Sequence, residues 1–443
     1  MEKNQIASFR AINKLAIPAM ISGLAEPLIS LTDLAIIGSI PKNADIAIGA
    51  VGVSGSILSA LIWIFAQTKS SISAYVSKAL GEEKLDKISK IVPQILIIMT
   101  FFSVIVGFIC WLSQDFIFQN IFNLSGDSLK QASSYFSIRI LGFPITIITF
   151  SLFGLFRGLQ NTHWAMIISL IGGGVNIVLD FLLVKGIGFP EMGVQGAALA
   201  SVLAQLIMMI LALVFTKRKV QQSFVFSLKW ASDLREVIKL TANYALRTLS
   251  LNLALILANK YASSYGEYDI AVHTVLFNLW LFSAFLLDGY ANAANAMSGK
   301  FLGAKDWNNL KKVKNKIVLL SIIVSGIVGL TFYFGRNVLA NLFLDSDVAV
   351  QLFTSSVFLI VIIQPFNSIA FSLDGVFKGM GEGRFLRNLL FMATGLVFVP
   401  ILIVSDYFLH NLEAIWLAIL GWMFARSIIP WIYFNRKTAL LSQ

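Results

Sequence analysis

Five carboxylates stand inside long apolar runs of this 443-residue chain: Glu26, Asp33, Asp180, Asp288 and Asp374. An ionised group at the centre of a bilayer costs from ~3 to more than 10 kcal/mol. Each acid therefore calls for a basic partner, a proton or a bound cation, and that requirement is the chemistry of ion carriage. Asn176 precedes Asp180 by one helical turn, so an amide and a carboxyl share a face. Glu26 precedes Asp33 by seven residues and shares its face. Carboxylates beside an amide can hold a proton or act as hard oxygen ligands for Na⁺. The bases at depth are Lys69, Arg139 and Arg247. Similar depths pair Glu26 with Lys69, and Arg247 with Asp288. Asp374, near the inner end of its run with Arg384 close by, reads as a structural ion pair. No base stands obviously beside Asp33 and Asp180, so these two, with Asn176 and Glu26, are the candidate cation-coupling residues. Lys69, Arg247 and Asp288 are candidate charge partners.

The elements that must carry these residues are membrane spans. Apolar residues make up 57% of the chain and charged ones 13%, about half the ~25% usual in soluble domains. Such a chain cannot cover a soluble surface. A span needs about 20 mostly apolar residues, and twelve runs qualify: 14–38, 47–79, 91–112, 132–157, 164–185, 193–216, 236–261, 270–299, 315–336, 351–377, 385–405 and 411–434. Prolines such as Pro18, Pro27, Pro93, Pro144, Pro365 and Pro400 interrupt several of them, which packed membrane helices tolerate. The first run reads as a retained span rather than a cleaved leader. One cysteine, Cys110, and three scattered histidines, His163, His273 and His410, give no thiolate or imidazole metal site. His163 reads as a loop residue and His273 as a packing or hydrogen-bonding residue at a helix start. No nucleophile–base constellation suggests catalysis; the chain is not expected to be an enzyme, and no catalytic residues or cofactor are assigned.

Charge sets the orientation. With the N-terminus inside and the spans alternating, only five of the 34 Lys and Arg fall on outer segments: Lys42, Lys130, Lys185, Lys260 and Arg336. This is the positive-inside pattern, with both termini cytoplasmic. The net charge of +11 is then topological, and nucleic acid is excluded as a partner.

The chain also repeats itself. Leu80-Gly81 matches Leu302-Gly303 at a shift of 222. Phe122 matches Phe343, Pro144 matches Pro365, and Gly154-x-x-Arg157-Gly158 matches Gly375-x-x-Lys378-Gly379, all at a shift of 221. A duplicated six-helix unit follows, with the basic segment 217–235 as a cytoplasmic linker between lobes 1–216 and 236–443. Six is even, so the repeats are parallel, related by an axis along the membrane normal. The expected fold is an all-α integral membrane protein with two six-helix bundles around a central cleft, an arrangement suited to alternating access.

These segments resemble the multidrug and toxic compound extrusion (MATE) transporters, in particular the DinF-like branch. The likeness runs through Pro27-Leu-Ile-Ser-Leu-Thr-Asp33-Leu-Ala-Ile-Ile-Gly38, Arg157-Gly-Leu-Gln-Asn-Thr162, Asn176-Ile-Val-Leu-Asp180 and Gly193-Val-Gln-Gly-Ala-Ala-Leu-Ala200. It continues in Leu287-Asp-Gly-Tyr-Ala-Asn-Ala293, Leu302-Gly-Ala304 and Asp374-Gly-Val-Phe-Lys-Gly379. The resemblance implies export of amphipathic, often cationic drugs or metabolites against an inward flow of H⁺ or Na⁺, with H⁺ the preferred coupling ion. It implies that Asp33 is the coupling acid and that Asn176 and Asp180 stand beside it, with Na⁺ conceivable at Asp33 and Asp180. The implied setting is the plasma or inner membrane of a bacterium, as a monomer with lipid and an amphipathic small molecule as partners. Three features depart from the pattern: Asn295 where relatives commonly carry Glu, Glu26 as an additional acid, and Arg247 in place of an acid. The alternative function is a flippase for a lipid-linked or other amphipathic precursor.

Overall fold

A computed structural model of the chain describes residues 7–38, 44–188, 190–220 and 230–441, without the side chains of 25–31, 34, 44, 45 and 219. Among these residues the regular structure is helical throughout. Among the described residues, nine helices or helix runs are long and apolar enough to cross a membrane. A tenth span comes from α6 (Gly126–Arg139) and α7 (Gly142–Gly158), bent by 44° at their junction. The bend falls just before Pro144, whose missing N–H suits the first turn of a helix and not its interior. The two expected spans outside that set, 14–38 and 236–261, are the helices α1 (Phe9–Gly38) and α10 (Leu234–Tyr265). Arg235, Glu236, Lys239, Arg247 and Lys260 lower the apolarity of α10.

The remaining elements follow the expected order. The second run is split at Ala66 into α2 (Ala44–Phe65) and α3 (Gln67–Gly81). Then come α4 (Leu85–Leu112), a short α5 (Gln114–Asn120), α6, α7, α8 (His163–Val184) and α9 (Gly193–Lys219). The second half holds α10, α11 (Glu267–Gly303), α12 (Trp307–Phe334), a short α13 (Arg336–Phe343), α14 (Asp347–Gly379), α15 (Gly383–Met392), α16 (Val399–Leu409) and α17 (Leu412–Leu441). A π-helical turn, Ala393–Phe398, joins α15 to α16, which opens with Val399 and Pro400; a proline has no N–H to close an α-helical bond there.

Two compact units are present. The N-terminal unit comprises Ile21–Ala79 and Lys84–Ile238. Its core is aromatic, with Phe118, Phe136, Phe143, Phe153 and Phe156 almost fully buried. The C-terminal unit runs from Lys239 and also takes in the start of α1, up to Met20, and the turn Leu80–Glu83. Trp416, Trp422, Phe353 and Phe398 fill one of its cores, and Tyr244, Phe301, Phe377 and Phe434 the other. In the N-terminal unit Asp233, just before α10, accepts from Tyr75 Oη at 2.9 Å and pairs with Lys87 Nζ at 3.2 Å. A hydrogen bond from Ser232, with those from Tyr75 and Lys87, holds its carboxyl below the usual carboxylate range.

The sequence repeat reappears as packing. A Cβ on Gly154 would come within 2.5 Å of the Lys69 carbonyl oxygen, and one on Gly375 within 2.2 Å of that of Ala291. Lys69 and Ala291 are 222 residues apart, so matching glycines let matching helices touch backbone to backbone. The short helices α5 and α13 begin at Gln114 and Arg336, also 222 apart.

Candidate functional site

Asp33, Asn176 and Asp180 meet inside the N-terminal unit. The Asn176 amide Nδ2 donates to Asp180 Oδ2 at 3.1 Å, the one-turn relation expected on α8. Ser201 Oγ, from α9, donates to Asp33 Oδ2 at 3.4 Å. The Asp33 and Asp180 carboxyls are close enough to interact directly. Asp33 is 7% exposed and Asp180 not at all. Asp33 Oδ1, Asp180 Oδ1 and Asn176 Oδ1 have no hydrogen-bond donor among the described residues. Buried oxygens left in that state are costly unless something positive occupies them.

The sequence expectation that no base accompanies this pair is corrected by α6. Tyr135 and Arg139, one turn apart, lie in electrostatic range of both carboxyls. With both acids ionised the cluster carries one net negative charge against Arg139, so a single added proton makes it neutral. Two carboxyls this close do not readily ionise together, and such a pair titrates as a unit.

The cluster borders a cavity of about 300 Å³ within the same unit. Asp33, Asn176, Ser201, Tyr135 and Arg139 line it, as do Lys69, Phe150 and Phe153. Asp180 is not among the lining residues, while its neighbours Asp33 and Asn176 are. The Lys69 ammonium lies 5.6 Å from the Phe150 ring and 5.9 Å from that of Phe153. Glu26 lies among the side chains outside the described residues, and so does its expected pairing with Lys69.

The C-terminal unit pairs its charges differently from the depth argument. Arg247 bonds Asp374 at 2.6 Å rather than Asp288, and Lys378, one turn on, bonds the other oxygen of Asp374 at 3.1 Å. Asp288 is exposed and accepts from Asn292 at 2.8 Å. Arg384 is exposed, so Asp374 is an ion pair as expected but with other partners. His163 opens α8 at the surface, while His273 is fully buried against Trp416 and Phe277. Three residues escaped the sequence reading: Ser201, whose hydroxyl gave no signal of its own, Tyr135 and Arg426. Tyr135 gave a usable signal, a phenol one turn before a deep arginine. Arg426, 3% exposed on α17, could have been found as a base eight residues inside the last apolar run.

Long apolar helices that enclose hydrogen-bonded carboxylates beside an internal cavity define a multi-pass membrane protein. The MatE family model matches the chain twice, over residues 18–182 and 244–404. The chain belongs to the MatE family. It is 27% identical over 431 residues to DNA damage-inducible protein F of Escherichia coli K12, covering 95% of this chain and 91% of that protein. It is 25% identical to the probable multidrug resistance protein NorM of Thermotoga maritima, over 98% of this chain and 94% of that one. Among solved structures, a MATE protein in its bent conformation superposes with a TM-score of 0.90 at 19% identity, covering 98% of this chain and 96% of that one. A MOP superfamily transporter from Pyrococcus furiosus gives the same score and identity over the whole of both chains.

Proposed function

We propose that this protein is a proton-coupled antiporter that exports amphipathic, often cationic drugs or metabolites by alternating access, and that it is not an enzyme. The observation that carries the proposal is the buried Asp33–Asp180 pair, with three donor-less oxygens around it, at the wall of a cavity. The name of the Thermotoga relative, a probable multidrug resistance protein, supports the substrate class. Asp33 and Asp180 carry the proton, Asn176 and Ser201 hold the carboxyls in register, and Arg139 supplies the fixed counter-charge. A resident guanidinium favours a proton over Na⁺, since Na⁺ must compete with it for the same few oxygens. Asp33 lies about 8 Å below the outer surface at 1.5 Å per residue, so the proton enters from outside and leaves to the cytoplasm. Loading neutralises the cluster. Helix α1 can then bend where Pro18, Gly23 and Pro27 weaken it, which alters the cavity and releases the substrate outward.

In this reading the lobes are 1–216 and 236–443 with 217–235 as linker, both termini are cytoplasmic, and the protein works as a monomer in a bacterial plasma or inner membrane. Efflux of a lipophilic cation from proteoliposomes, under H⁺ and Na⁺ gradients imposed one at a time, tests the proposal. The H⁺ gradient should drive it and the Na⁺ gradient should not; transport driven by Na⁺ alone would reject proton coupling. A flippase for a lipid-linked precursor is the second reading. It is favoured by the buried basic residues of the C-terminal unit, which suit a phosphate better than a cation.

A further inference from the structure

The C-terminal unit buries more positive charge than its carboxylates balance. Arg247 and Lys378 pair with Asp374, the first through Oδ1 and the second through Oδ2. Arg426 lies in electrostatic range of Arg247 and Asp374. Among the described residues its guanidinium has one hydrogen-bond acceptor, the Met423 sulfur, 3.1 Å from Nη1. A thioether is a weak acceptor. The Trp422 ring, 4.6 Å away, and the Phe371 ring, 5.8 Å away, offer electrostatic attraction but no hydrogen bond. Asp288, in range of Lys378, is exposed and holds Asn292. Among the described residues, the buried Arg247 and Arg426 and the partly buried Lys378 thus stand against one buried carboxylate. Lys314 of the same unit shows the contrast. It too is buried against a ring, that of Trp431 at 3.8 Å, but it donates to Asn435 Oδ1 at 3.3 Å.

We propose that Arg426, with Arg247 and Lys378, forms an oxyanion site inside the C-terminal unit, for a phosphate group borne by an anionic lipid or by a soluble compound. A guanidinium offers paired N–H donors in a plane, the geometry that matches phosphate oxygens two at a time. Asp374 holds Arg247 and Lys378 in place and leaves their summed charge in excess. Trp422 and Phe371 provide an apolar neighbour for whatever bears the phosphate. Arg426 and Trp422 lie beyond the segments that the family model matches. The site is separate from the carboxyl pair, so it can exist whichever ion drives transport.

The full-length protein in phosphatidylcholine nanodiscs, titrated with inorganic phosphate against chloride at equal ionic strength, provides the test, with the thermal unfolding midpoint as readout. A parallel sample contains phosphatidylglycerol. A rise of several degrees with phosphate identifies a soluble source. A rise in phosphatidylglycerol that abolishes the further effect of phosphate identifies the lipid headgroup. Either rise should vanish in Arg426→Gln and persist in part in Arg426→Lys. Arg426→Met, which replaces the buried charge with an apolar chain, keeps the test decisive if the glutamine variant does not fold: it should unfold no lower than wild type without phosphate and show no response to it. No rise in either arm, or an equal rise in the Arg426→Met variant, overturns the site.

Discussion

Asp374 holds two cations with its two oxygens, so losing Asp374 leaves both cations uncompensated, whereas losing either cation leaves one ion pair intact. Asp374→Asn should cost about 3–5 kcal/mol, the usual loss when one partner of a buried ion pair is removed, and Arg247→Met clearly less. Arg247→Met combined with Asp374→Asn should lose clearly less than the two single changes together. Unfolding midpoints in detergent measure this, and strictly additive losses would show that the 2.6 Å contact is not an energetic pair. The same residues mark the limit of reading charges from sequence. Counting residues from a helix end fixes depth, and Arg247 and Asp288 are of similar depth, but it does not say which helices are neighbours. Asp374 on α14 therefore displaced Asp288 on α11, and Arg139 on α6 reached a carboxyl pair that had seemed to lack a base. Asn176 and Asp180 were legible because a one-turn spacing fixes both depth and face within one helix.

Among the elements, the close approach of α14 to α11 depends on having no side chain at Gly375. Gly375→Ala would place a Cβ 2.2 Å from the Ala291 carbonyl oxygen, which is backbone and cannot rotate away. The expected loss is about 1–3 kcal/mol, the usual penalty for overpacking. Gly154→Ala should behave alike against Lys69, since its Cβ would fall 2.5 Å from that carbonyl. Gly326→Ala, with nothing within 4 Å of its Cβ, is the control, and it should be neutral or gain up to about 1 kcal/mol from helix propensity. Thermal midpoints of the three variants decide; a neutral Gly375→Ala would remove the packing reason for the repeated glycines. The Gly-x-x-basic-Gly repeat was visible in the sequence, but its partner surface was not, because the contacting backbone comes from helices more than 80 residues earlier. The bend before Pro144 could be placed from the proline. The π-turn before Pro400 could not, since a proline fixes where a helix is disturbed and not how the ladder reforms.

For the molecule as a whole, the composition already required a multi-pass helical protein, because 13% charged residues cannot cover a soluble surface of this size. Orientation rests on the positive-inside pattern and is open to direct measurement. Cys110 is the chain's one cysteine, so replacing it with alanine clears the background for labelling. A cysteine at Asp127 should react with a membrane-impermeant maleimide in intact cells, and one at Lys312 only after permeabilisation; the opposite pattern would invert the topology. The central claim is that the Asp33–Asp180 pair carries the ion that drives export. Proton-driven efflux from proteoliposomes containing Asp33→Asn or Asp180→Asn protein, reconstituted in equal amounts with wild type, tests it most directly. The account predicts that each variant inserts and folds yet loses efflux driven by the H⁺ gradient. Wild-type rates with an unchanged pH dependence in both variants would contradict it.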